Sequence, residues 1–170
     1  YLFGGITTIG DTKASNALLT LNLDNTKAGW TSLQELPADG RILPVAGVFG
    51  NSFYIFSGAA LSADNAGKPQ RSYLNEAWKF SPSTGWQQLA DLPRATVAAP
   101  SPAIRTGASH LLVVGGSDGT LDNFEPKDEH PGFTRQVLAF DAITGTWMET
   151  DPLPDDFRAP VTATAVTWNK

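Results

Sequence analysis

The chain predicts an all-β, repeat-built domain, and three observations carry that prediction. Glycine pairs or Ser-Gly close apolar strands at Gly4-Gly5, Ser57-Gly58 and Gly115-Gly116, and a tryptophan follows each at Trp30, Trp86 and Trp147. A Leu-Pro pair then stands six residues beyond each tryptophan, at Leu36-Pro37, Leu92-Pro93 and Leu153-Pro154. The tryptophans lie 56 and 61 residues apart, so one unit recurs three times in fixed order, the mark of a repeat architecture.

Composition agrees and narrows the function classes. Sixteen Gly and twelve Pro, without a long helical period, suit a turn-rich β protein, and 41% hydrophobic residues suit a folded core. A net charge of −5 and the lack of a Lys/Arg cluster argue against nucleic acid, whose binding needs a basic stripe to displace counterions. Cysteine is absent, which excludes disulfides, thiol catalysis and Cys-ligated zinc within these residues. No apolar run is long enough to predict a membrane-spanning helix, and no membrane partner is expected.

Taken in order, Tyr1–Gly5 reads as the second strand of a unit, Ala17–Asp24 as its third and Trp30–Leu33 as its fourth. The second unit starts with Val45–Phe49, continues through FYIFSG, and then runs into a stretch from Gly58 to Asn75 that is too long for a simple hairpin. EAWKFSP and GWQQL complete it. The third unit begins near Ser101–Arg105, continues through HLLVVGG, and carries most of the acidic density in the loop Ser117–Thr134. After Leu153-Pro154, VTATAVTWNK reads as the first strand of a fourth unit. The boundaries are therefore 1–36 for strands two to four, 37–92 and 93–153 for full units, and 154–170 for a further first strand.

These marks resemble the kelch repeat, whose units are the four-stranded blades of a β-propeller. The expected fold is a kelch-type β-propeller, with about three four-stranded blades of a six-bladed ring. Three blades do not close a ring, so the remainder of the propeller or a second copy of the chain is the expected closing partner. Because successive antiparallel strands reverse direction, the loops after strands two and four emerge on one face. That face collects Ile6–Asn16, Ala59–Asn75, Ser117–Thr134 and the Leu-Pro turns, and a site is expected there.

Arginines recur on it. Arg41, Arg94 and Arg158 follow the Leu-Pro pairs, while Arg71 and Arg135 precede third strands. A guanidinium fork suits a carboxylate, so Arg71, Arg135, Arg41 and Arg158 are the candidate ligand-binding residues; the bland alternative has such arginines capping loop carbonyls or pairing with acids. His130, flanked by Asp128 and Glu129, reads as a solvated loop residue, and His110 as structural. The acidic loop lacks the spacing and glycine of a calcium site, so no metal and no cofactor are expected.

The passages RSYLNEAWKFSPSTGWQQLADLP, HPGFTRQVLAFDAITGTW and APVTATAVTW resemble the kelch proteins that interconvert the anomers of N-acetylneuraminate, especially their cyclically permuted relatives. That resemblance implies a sugar-acid ligand at the propeller mouth, mutarotase activity when the ring is complete, and a periplasmic or secreted setting. The group's Glu, Pro-Gly, Arg motif would fall beyond Lys170, so no catalytic residue is assigned within the chain. The alternative is a propeller that binds protein or carbohydrate without catalysis. A galactose-oxidase-like copper site is disfavoured, since its thioether cofactor needs a cysteine.

Overall fold

The computed structural model describes residues 1–166. Three antiparallel sheets follow one another along the chain. The first contains β1 (Leu2–Phe3), β2 (Leu18–Leu21) and β3 (Trp30–Ser32). The second pairs β4 (Val45–Phe49), β5 (Ser52–Phe56), β8 (Ala77–Ser81) and β9 (Gly85–Gln88) in that order. Between β5 and β8 the chain inserts a separate hairpin, β6 (Ala59–Ala63) and β7 (Pro69–Tyr73). The third sheet is β10 (Ile104–Thr106), β11 (His110–Val114), β12 (Val137–Asp141) and β13 (Thr146–Glu149).

The period-two alternation of β5 explains how the sheets stack. Phe53 and Ile55 point one way and join Leu18, Leu36, Trp78 and Phe80 in a core between the first two sheets. Tyr54 and Phe56 point the other way and join Val45, Leu111, Val113, Leu138 and Phe140 between the second and third. A strand buried on both faces is the continuous apolar run expected inside a stack. Fully burying each Phe or Ile contributes about 1.5–3 kcal/mol.

The tryptophans stitch neighbouring sheets. Trp86 Nε1 donates to the Gln34 carbonyl at 2.8 Å, and Trp147 Nε1 donates to the Ala90 carbonyl at 2.9 Å. Each acceptor sits two residues before the Leu of the preceding Leu-Pro pair, so the Trp-to-Leu spacing read from sequence is a seam between sheets. Trp30, on the outer side of the first sheet, is 53% exposed.

Three expectations about strand limits are revised. The stretch after β5 is not an open loop, because its length accommodates the β6–β7 hairpin, closed by Asp64 Oδ1 accepting from Ala66 N and Lys68 N at 2.8 Å each. The third sheet starts at Ile104 and not at Ser101: Pro102 has no N–H to give a ladder, Ser101 Oγ accepts from Ala46 N at 3.1 Å, and Ala103 N donates to the Ala46 carbonyl at 2.6 Å. The strand expected over Ala17–Asp24 is β2, only Leu18–Leu21, since Asn22 caps a 3₁₀ turn by accepting from Asp24 N at 2.9 Å.

The segment after the last Leu-Pro meets Ser101 in a parallel bridge at Thr164, with Ser101 N donating to the Ala163 carbonyl and Ala165 N to the Ser101 carbonyl, both at 3.1 Å. It lies beside the start of the third sheet much as Ala46 lies beside Ala103. The expected strand also includes residues 167–170, which lie outside the described residues.

Candidate functional site

Loops from all three sheets converge on a cavity of about 540 Å³. Asp11 comes from the loop after β1, Arg71 and Tyr73 from β7, Ile42 from the first Leu-Pro turn, and Gly119 and Asp122 from the loop after β11. These are the loops that strand alternation assigns to one face.

Tyr73 is the residue around which the cavity is arranged. Its hydroxyl donates to Asp122 Oδ2 across 49 positions of sequence. Its ring lies over Gly119, where a Cβ would come within 2.9 Å of the ring and where φ is +86°. Glycine is therefore required twice, by the left-handed backbone and by the aromatic seat. Burial, and then the Asp122 carboxylate, raise the Tyr73 phenol above its ordinary value, while Arg71 opposes them. The phenol stays protonated and available as a donor.

The acid across the cavity is differently placed. Asp11 Oδ2 accepts from Thr7 N at 2.8 Å and Thr8 N at 2.9 Å, and Oδ1 accepts from Thr8 Oγ1. The Thr8 hydroxyl first, and then the two backbone N–H groups, hold this carboxyl below its ordinary value. Asp11 thus contributes charge to the cavity while its own loop takes up its oxygens.

The candidate arginines separate into three settings. Arg71 is exposed in this cavity. Arg135 and Arg158 share a different one, about 750 Å³, walled by the later part of the third long loop and the last Leu-Pro turn. In it Arg135 pairs with Asp155 and donates to the Leu153 carbonyl at 3.3 Å. The location before third strands that relates Arg71 and Arg135 in sequence is not an equivalence in space: Arg71 belongs to the inserted hairpin, which the third sheet lacks, so the two line separate cavities. The larger cavity is walled by elements of the third sheet alone; the smaller one draws on every sheet and is the better candidate for a mouth.

Arg41 is withdrawn from both. It has no exposed side-chain surface, and it donates to the Asp39 carbonyl at 3.2 Å, the Ser57 carbonyl at 3.2 Å and Glu76 Oε2 at 2.7 Å. Burial works to raise Glu76, but the bonds from Arg41 and Trp78 outweigh it and the net effect lowers its pKa. Arg94 repeats this arrangement one sheet later, donating to the Gly115 carbonyl at 2.9 Å and to Gln136. Ser57 and Gly115 each follow a second strand, and Glu76 and Gln136 each precede a third strand. Both arginines clamp one sheet to the next; Arg94 is half-buried, whereas Arg41 is fully buried and cannot meet a ligand. Arg158 stands five residues after Leu153, as Arg41 stands five after Leu36.

His130 lines neither cavity. It lies between Phe124 and Phe133, with ring centroids 5.5 and 5.3 Å away, and its Nδ1 accepts from Gly132 N at 3.0 Å. Among the described residues no group of three His, Cys, Asp or Glu is placed to hold a metal ion. Sequence reasoning missed Tyr73 altogether and read Asp122 only as part of an acidic loop. The one local hint is the Gly119 that seats the Tyr73 ring.

Comparison with known proteins adds to this geometry. No family model matches the chain. The N-acetylneuraminate epimerases of Yersinia pestis (strain Pestoides F) and Yersinia pseudotuberculosis (serotype O:1b, strain IP 31758) are each 30% identical to it over 118 residues. The match takes in 68% of this chain and 29% of each relative, so the chain spans less than a third of the length of the curated relatives it matches. The solved structure of YjhT, a propeller, superposes with a TM-score of 0.65 at 20% identity, over 90% of this chain and 51% of that one. The chain is a partial β-propeller with weak homology to N-acetylneuraminate epimerases, in agreement with the resemblance in its motif passages.

Proposed function

We propose that this partial propeller, akin in sequence to N-acetylneuraminate epimerases, builds part of the mouth at which a complete ring binds a sugar acid of the N-acetylneuraminate type and interconverts its anomers. The observation that carries the proposal is the cavity drawn from loops of all three sheets, with the exposed Arg71 guanidinium on its wall. A planar fork of donors suits a carboxylate better than a point charge does. Further blades, from the same polypeptide or from a second copy, complete the ring.

Mutarotation needs a base to take the anomeric hydroxyl proton and an acid to protonate the ring oxygen. Within this chain the role is binding and orientation: Arg71 holds the carboxylate, and the long loops wall the ligand. On the family resemblance, the groups that move protons come from elsewhere in the ring.

The test is calorimetric titration of N-acetylneuraminate into the complete propeller and its Arg71→Ala variant. Loss of one charge-assisted hydrogen bond should weaken binding about 10- to 150-fold. Absence of binding by the unaltered propeller would overturn the reading in favour of an interaction module. Unchanged affinity in the variant would remove Arg71 from the site.

A further inference from the structure

We infer that Tyr73 and Asp122 form a hydroxyl-reading subsite next to Arg71, which holds the polyol chain of the ligand while Arg71 holds its carboxylate. The inference rests on the proposed function and adds the groups that would tell a sugar acid from other anions.

Charge counting excludes several ligand classes first. Asp11, Asp122 and Arg71 place two carboxylates against one guanidinium on the cavity wall. Such a balance repels a phosphate dianion or a polyanion. It suits a ligand with a single negative charge and several hydroxyl donors, because an ionised carboxylate only accepts hydrogen bonds.

Of the two acids, Asp122 is the one with capacity to spare. Asp11 spends both oxygens on Thr7 and Thr8. Asp122 accepts the Tyr73 hydroxyl on Oδ2, and among the described residues no donor reaches its Oδ1. The Tyr73 oxygen, which gives its proton to Asp122 and is approached by the Arg71 guanidinium, keeps a lone pair that accepts. Together the pair offers two adjacent acceptors, which is the complement of two neighbouring sugar hydroxyls.

The pair is also held in place before any ligand arrives. The Tyr73 ring is seated on Gly119, three residues from Asp122, so the loop that supplies the acid also supplies the floor under the phenol. Groups from two loops are thereby fixed relative to each other, and little ordering remains to be done on binding.

The test compares N-acetylneuraminate with an analogue lacking its trihydroxylated side chain, each titrated into the complete propeller. Tyr73→Phe keeps the ring on Gly119 and Asp122→Asn is isosteric, so near-ultraviolet circular dichroism should confirm intact packing in both. We expect each variant to lose about 10- to 150-fold in affinity for N-acetylneuraminate and less than about threefold for the shortened analogue. Arg71→Lys should weaken both ligands alike. Equal losses for both ligands in the Tyr73 and Asp122 variants, or no loss, would overturn the subsite while leaving the proposed function standing. No binding of N-acetylneuraminate by the unaltered propeller would overturn both.

Discussion

Arg41 donates to Glu76 at 2.7 Å from a side chain with no exposed surface, whereas the carboxylate keeps 31% of its own exposure. The cation is thus the committed partner. Arg41→Ala would strand the buried Ser57 carbonyl and leave Glu76, itself partly solvated, without its cation, at a cost of about 1–3 kcal/mol. Urea unfolding should show that loss. A cost under about 1 kcal/mol would mean that water replaces the clamp.

The same pair sets an acid limb. Glu76 is held below its ordinary value of 4.5, so its contribution is fully present above that value and is lost as pH falls through the lowered folded one. The stability gap between the unaltered chain and Glu76→Gln should be widest above the ordinary carboxyl value and should close as pH falls through the lowered folded one. Unfolding free energies measured across that window check it, and a gap that does not vary with pH would contradict the assignment.

Gly119 and Gly132 both hold positive φ, +86° and +92°, but only at Gly119 would a methyl group meet the Tyr73 ring, at 2.9 Å. Backbone strain of about 1 kcal/mol is common to both alanine substitutions. Gly119→Ala should add about 1–3 kcal/mol for overpacking and weaken sugar-acid binding; Gly132→Ala should do neither. Equal losses of stability would show that the ring moves aside freely.

Trp147 and Trp86 each spend their indole N–H on a carbonyl of the preceding sheet, while Trp30 is 53% exposed. In the chain alone, Trp147→Phe should cost about 1–2 kcal/mol through the lost bond and packing, and Trp30→Phe less than about 0.5 kcal/mol. In the complete ring proposed above, with a further blade against the first sheet, the Trp30 substitution should cost as much as Trp147→Phe. Denaturation of the chain alone and of the proposed complete propeller measures this difference.

The repeat, the order of the sheets and the face on which the long loops meet are all legible in the residues alone. Those follow from local chemistry: alternating apolar positions, glycines at sharp strand ends, and a fixed step from Trp30 to Leu36, Trp86 to Leu92 and Trp147 to Leu153. The setting of each arginine, by contrast, depends on how the sheets pack. Arg41 and Arg158 stand at the same step after a Leu-Pro pair, yet Arg41 is buried because the second sheet covers it with the Ser57 carbonyl and Glu76, and Arg158 is exposed on a cavity wall. Arg71 and Arg135 look alike in sequence and part company because one sits on an inserted hairpin. Tyr73 and Asp122 meet across 49 residues, a contact that no local pattern encodes, since it exists only when two sheets stack and bring their loops together.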